Sequence, residues 1–258
     1  MIGYNHLGRN GRLGNQMFQY AALRGIAEKH GYEWCIPPSD FRNEQQDHQL
    51  FEAFKLPSVN HIKLFGATYI KEKSFNFDKE LFENCQDNVN LYGFFQTEKY
   101  FKHIEQKIRE DFIFVDDIWN PCKEMFTFNE VISLHIRRSD YVEKQNYHPL
   151  CPLRYYEEAL ERLPQDIPVL IFSDDPEWCK KQELFQPDRF LISESDNNLV
   201  DMCLMTMCTY HIIANSSFSW WGAWLAESKQ VIAPKKWFRW DNNSWITDDL
   251  YCQGWIVL

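Results

Sequence analysis

From Val131 onward, short apolar runs alternate with amphipathic ones, and this alternation limits the fold more than any other feature of the 258 residues. "VISLHI", "PVLIFSD", "RFLIS", "HIIAN" and "QVIAP" read as strands, the last of them final, while "PLRYYEEALERL", "PEWCKKQEL", "NLVDMCLMTMCTY" and "SSFSWWGAWLAES" read as helices. Strands apolar on both sides and separated by helices mean a parallel sheet covered on both faces, with right-handed crossovers.

The first half is less regular. A Gly-rich turn at Asn10–Asn15 leads into a helix whose stripe is Met17, Phe18, Ala21, Ala22 and Ile26, with Gly31 as its C-cap, and "YEWCIPP" then reads as a short strand. "IKLFGATYI" reads as a strand or its edge. "NVNLYGFFQTEKYFKHIEQKIREDF" reads as a short strand and one longer helix with Tyr100, Phe101, Ile104 and Ile108 on its stripe. A hinge near 118–128, "IWNPCKEMFTF", divides two α/β domains, 1–125 and 126–258.

In open α/β sheets, ligands sit outside the carboxyl ends of the strands. Three strands carry polar residues there: His135–Asp140, Ser173–Asp175 and Asn215–Ser217. The formal charge is −10, which excludes a surface built to wrap nucleic acid and makes Arg137 and Arg138 conspicuous as a local phosphate site. Guanidinium groups fork onto phosphate oxygens. The plainer alternative has Arg138 bracing Asp140 while Arg137 lies on the surface, and His135 either meets a ligand or braces the turn. Asn215, Ser216 and Ser217 open a helix whose amides form an anion site or are merely capped. Trp220, Trp221 and Trp224 read as core packing. Asp201 interrupts an apolar helix and either receives a ligand edge or is structural, and the two readings stand even. Asp174 and Asp175 read equally well as a turn and an N-cap.

No metal-ligand motif is present, and the eight cysteines form no CxxC pair, so they read as reduced and structural. The opening "MIGYNHLGRNGRLGNQ" holds no apolar signal segment, and no run approaches the length of a membrane span.

"GRLGNQMFQYAAL", "SLHIRRSDYV" and "NSSFSWWGAWLA", with "GFFQTEKYF" and "VIAPKKWF", resemble the α-1,2-fucosyltransferases of glycosyltransferase family 11 across nearly the whole chain. The resemblance implies a GT-B fold, two Rossmann-like domains facing across a cleft, and inverting transfer from GDP-β-L-fucose to the 2-hydroxyl of a terminal galactose in a glycan acceptor. It implies no cofactor and no divalent metal. It sets Arg137 on the GDP phosphates with His135 nearby and Arg138 assisting, and Asp201 on guanine. Ser216, Ser217 and Phe218 fall at the serine-rich turn, with Asn215 beside them, and Asp140 orients the arginines. Gly14 and Asn15 lie near fucose and acceptor, Asn15 with a catalytic role. A general base is not named. The expected setting is cytoplasmic, with peripheral contact at the inner membrane of a microbe allowed, or the host cytoplasm for a viral protein. Alternatives are a fucosyltransferase with another acceptor or linkage and a non-catalytic nucleotide-sugar binding protein.

Overall fold

A computed structural model describes residues 1–38, 49–57, 59–239 and 246–258. The chain divides into two compact units, Met1–Val115 with Asn242–Cys252, and Asp116–Asp241 with Gln253–Leu258.

The first unit runs β1 (Ile2–Gly3), α1 (Leu13–His30), β2 (Trp34–Cys35), α2 (Gln49–Ala53), β3 (Thr68–Lys71), α3 (Lys79–Asn84), β4 (Val89–Tyr92) and α4 (Glu105–Asp111). Its strands pair in parallel in the order β2-β1-β4-β3. Helix α1 ends as expected on Gly31, which takes the left-handed conformation at φ +66° and returns its amide to the last turn. Its burial is not a stripe, however. Gln16, Gln19 and Arg24 are buried along with the apolar residues, and Arg24 pairs with Asp111, which also accepts from Tyr20 at 2.9 Å. Gly25 meets backbone: a Cβ there would stand 2.0 Å from the Tyr100 carbonyl oxygen. The single helix expected after β4 is instead two 3-10 turns, Glu98–Tyr100 and Lys102–Ile104, followed by the seven-residue α4. Its stripe is nevertheless buried as the periodicity required.

The second unit opens on α5 (Asp116–Met125), where the sequence suggested a hinge. This helix packs on a later helix of its own unit, with the Cys122 thiol 3.8 Å from the Val200 carbonyl. The division therefore falls before Asp116 rather than after residue 125, because the amphipathic face of 116–125 finds its apolar partner in the second unit, and the segment through Cys252 returns to the first. There follow β5 (Ile132–Ile136), α6 (Ser139–Glu143), α7 (Leu153–Leu160), β6 (Val169–Ser173), α8 (Pro176–Cys179), β7 (Phe190–Ile192), α9 (Asn198–Thr206), β8 (Tyr210–Ile212), α10 (Ser217–Leu225), β9 (Gln230–Ala233) and β10 (Ile256–Val257). Strand β10 was not anticipated. It is two residues long, too short for a periodic signal, and it makes β9 an inner strand.

All six strands of this unit are parallel, in the order β10-β9-β8-β5-β6-β7. Strand residues Ile132, Leu134, Ile136, Ile171 and Ile212 pack with Tyr155, Tyr156, Ala159 and Leu160 of α7. Val131 and Phe172 instead join Met205 and Cys208 in a separate cluster. Trp220, Trp221 and Trp224 are buried against one another, as core packing requires. All eight cysteines are free thiols. Among the described residues no helix is long and apolar enough to cross a membrane.

Candidate active site

In the second unit the chain lays down β5, β6 and β7 in one direction, then crosses back to place β8 on the other side of β5. The order reverses between β5 and β8, and parallel sheets bind ligands at the carboxyl ends of such a pair. Both strand ends carry polar groups. β5 ends at Ile136 and delivers Arg137 and Arg138, while β8 leads into Asn215 and the serines that open α10.

The arginines are held by carboxylates. Arg137 bonds Asp140 through Nη2 and Asp174 through Nη1, and its guanidinium lies 5.2 Å from the centre of the Tyr141 ring. Arg138 stacks at 4.0 Å over Trp178, and its Nε donates to Asp175 at 3.0 Å. The alternative brace between Arg138 and Asp140 does not form: Asp140 holds Arg137, because the first turn of α6 brings residue 140 back under residue 137. Asp174 accepts also from the amides of Arg138 at 2.7 Å and Ser139 at 3.3 Å. Two fork-shaped cations are fixed in orientation while keeping side-chain exposures of 15% and 18%, an arrangement suited to an oxyanion arriving from solvent.

His135 is buried, and its Nδ1 lies 2.8 Å from Ser219 Oγ on α10. Burial, helped by the Arg137 charge, lowers its pKa from 6.5 to about 3, so the imidazole stays neutral at ordinary pH. The ring of Phe218 sits 5.8 Å from it. Ser216 caps α10 by accepting from the Phe218 amide at 3.3 Å, and Ser217 is the first residue of the helix. Asn215 has a structural duty. Its Nδ2 donates to the carbonyls of Pro149 at 2.9 Å and Trp237 at 3.0 Å, tying two distant segments beneath the serine turn.

Asp201 stands in the first turn of α9, where its carboxylate accepts from Ser193 Oγ at 2.7 Å, just past β7. Burial raises its pKa from 3.8 to about 6, partly offset by that bond, so it is an anion above neutrality.

The first unit has its own reversal, between β1 and β4. The Gly-rich opening follows β1 and "GFFQ" follows β4, so the topology brings the two motifs together. Tyr4 Oη and Gly93 are bonded through both backbone groups of the glycine. Gln19 Nε2 reaches the carbonyls of Asn10 at 3.0 Å and Gly93 at 3.3 Å, and Asn15 Oδ1 accepts from Gln96 Nε2 at 2.7 Å. Gly11 has φ +89°, and a Cβ on it would strike the Asn15 amide. Gly14 is buried in the first turn of α1. Two buried amide oxygens at this edge, Gln19 Oε1 and Gln96 Oε1, lack a donor among the described residues.

Of the residues singled out from sequence, the second unit gathers Arg137, Arg138, Asp140, His135 and Ser216–Phe218 around one reversal, while Asp201 lies beyond β7. Gly14 and Asn15 belong to the first unit. Sequence reasoning ranked Asp174 low and passed over Ser219, Gln19 and Gln96, whose contacts depend on strand order rather than on local pattern. Among the described residues, no group of three or more His, Cys, Asp or Glu side chains is placed to hold a metal ion.

Two units, each built on a parallel sheet, match the GT-B architecture, and a solved structure shares the fold. The fucosyltransferase NodZ from Bradyrhizobium superposes with a TM-score of 0.57 at 15% identity, over 87% of this chain and 92% of that one. The chain belongs to glycosyltransferase family 11, whose family model, Glycosyl transferase family 11, matches residues 1–258. An α-1,2-colitosyltransferase of Escherichia coli is 34% identical, covering 88% of this chain and 90% of its own. The human galactoside α-(1,2)-fucosyltransferase 1 is 24% identical, covering 86% and 65%.

Proposed function

We propose that this glycosyltransferase transfers L-fucose from GDP-β-L-fucose to the 2-hydroxyl of a terminal galactose, with inversion, to give an α-1,2 linkage. The observation that carries the reading is Arg137, held by Asp140 and Asp174 at the strand reversal of the second unit. As the bond from fucose C1 to the β-phosphate lengthens, negative charge grows on the phosphate and positive charge on the sugar. A pre-oriented guanidinium lowers the barrier by meeting the phosphate charge without reorganising. Arg138 and the first amides of α10, at Ser217 and Phe218, add to that field. Neutral His135 braces the turn from which Arg137 projects, and Asp201, ionised above its pKa of about 6, accepts from the guanine edge. The two arginines supply the counter-charge in place of a divalent metal.

The acceptor belongs at the edge of the first unit. Asn15, partly exposed and oriented by Gln96, is the group that meets the acceptor, while Gln19 and Gln96 stay buried beneath it. The galactose 2-hydroxyl attacks C1 from the face opposite GDP and gives up its proton as the new bond forms. Both named relatives form α-1,2 linkages, and this supports the regiochemistry. The 34% identity favours a second reading, colitosyl transfer, in which the sugar lacks the 3-hydroxyl of fucose. We place the enzyme in the cytoplasm, with peripheral membrane contact where its acceptor is lipid-linked.

The test is a screen of the purified protein with GDP-fucose and nucleotide-linked colitose against lactose and N-acetyllactosamine, with NMR of the product linkage. Fucosyl transfer to the galactose 2-position is expected. Binding of the nucleotide sugar without hydrolysis or transfer would make the protein a binder rather than an enzyme.

A further inference from the structure

The turn after β4 is strained. Phe95 has φ +54°, a left-handed conformation that a bulky side chain rarely adopts, and its ring is fully buried between Tyr4 and Tyr100. Such a backbone persists only where its surroundings over-determine it. The device that holds it is Glu72, immediately past β3 on the strand next to β4. Its Oε2 accepts from the Phe94 amide at 2.7 Å and its Oε1 from the Phe95 amide at 2.8 Å. The Glu72 backbone extends the ladder by donating to the Tyr92 carbonyl at 2.9 Å. Gly93 lets the carboxylate come this close, since a Cβ there would lie 2.5 Å from Glu72 Cβ and 2.6 Å from Oε2.

We propose that Glu72 is a positioning residue for the acceptor: its carboxylate clamps the Gly93–Gln96 turn, and Gln96 then orients Asn15 of the opening motif. The inference rests on the reading that the first unit's edge receives the galactoside. Three contacts converge on the turn from separate elements, Glu72 from β3, Tyr4 from β1 and Gln19 from α1, and the turn passes its orientation on through the 2.7 Å bond from Gln96 to Asn15. The clamp is costly. Burial pushes the Glu72 carboxyl up to about 7 even though both amide bonds pull it down, and the charge of Asp78 adds to the rise. An apolar side chain would avoid this cost but could not satisfy two adjacent amides, so the carboxylate is matched to the turn rather than to the core.

Glu72→Gln keeps the size of the side chain but turns one amide-facing oxygen into a donor. Gln96→Ala removes the relay while leaving the clamp intact. Both variants are expected to raise the KM for the galactoside and lower kcat/KM for it by about tenfold, with the KM for the nucleotide sugar within about twofold of wild type. In Glu72→Gln the Phe94 and Phe95 amides are expected to exchange faster by hydrogen exchange. Gln96→Ala keeps the question answerable if Glu72→Gln does not fold. An unchanged acceptor KM in either variant overturns the inference, as does a fall in kcat alone in Glu72→Gln, which would mark a proton-transfer group. Equal rises in both KM values would reduce Glu72 to general scaffolding and also overturn it. A wild-type enzyme that transfers sugar to no galactoside refutes the functional reading itself, a result separable from any failure confined to the variants.

Discussion

His135 Nδ1 and Ser219 Oγ stand 2.8 Å apart, joining the end of β5 to the first turn of α10 across the strand reversal. Arg137, Arg138 and the serine turn are thereby registered to one another by a buried bond. Ser219→Ala leaves the ring nitrogen buried without its partner, a loss of about 1–3 kcal/mol. Urea denaturation should show that loss, together with weaker nucleotide-sugar binding. Undiminished stability would mean that the bond does not hold the two elements together.

Arg137→Ala should abolish most turnover, by about 100- to 1000-fold in kcat, with an unaltered circular dichroism spectrum. Arg138→Ala should cost less, because stacking on Trp178 and pairing with Asp175 occupy that side chain. Near-normal rates for the Arg137 variant would remove the residue from the phosphate site.

Asp201 sets function against stability. Its folded pKa is raised, so the native state holds the proton more tightly than the unfolded chain. The stability it contributes is present below 3.8 and is lost as pH rises through about 6. Asp201→Asn removes that loss and should stabilise the protein at pH 8 relative to pH 5 by about 1.4 kcal/mol, the one unit that separates pH 5 from the folded value of about 6. The same variant should bind GDP more weakly. Melting curves at the two pH values and calorimetric titration with GDP give both answers, and an equal stability difference at both pH values would contradict the assignment.

Transfer should survive EDTA without loss, since guanidinium groups are proposed to balance the leaving diphosphate. Inactivation by EDTA with recovery in manganese would show that they do not suffice.

The second sheet was legible in the sequence because each of its main strands carries a continuous apolar run and each helix its own period. Strand β10 was not, being two residues long. Residues 98–111 show the limit of periodicity: the buried positions were right, yet the backbone takes tight 3-10 turns where a single helix was expected. At the site, Arg137 stood out against an acidic chain, but its partner Asp174 comes from another strand and only topology brings them together. Glu72 sits in the polar stretch "IKEKSF", where nothing local says that a half-buried carboxylate accepts from two amides of another strand's turn. The Gly-rich turn at Asn10–Asn15 was legible as the entry to α1, and the fold adds that Gly11 makes room for Asn15.

Gly25 leaves no gap between α1 and the carbonyl of Tyr100. The helix that begins at the opening motif is therefore seated directly on backbone, with no side chain between to flex and absorb a displacement. The Tyr100 hydroxyl in turn accepts from the Asp78 amide, at the start of α3, at 2.9 Å. Any larger residue at position 25 would act as a wedge between α1 and the Tyr100 carbonyl, displacing from its far end the helix that the Gly-rich opening enters.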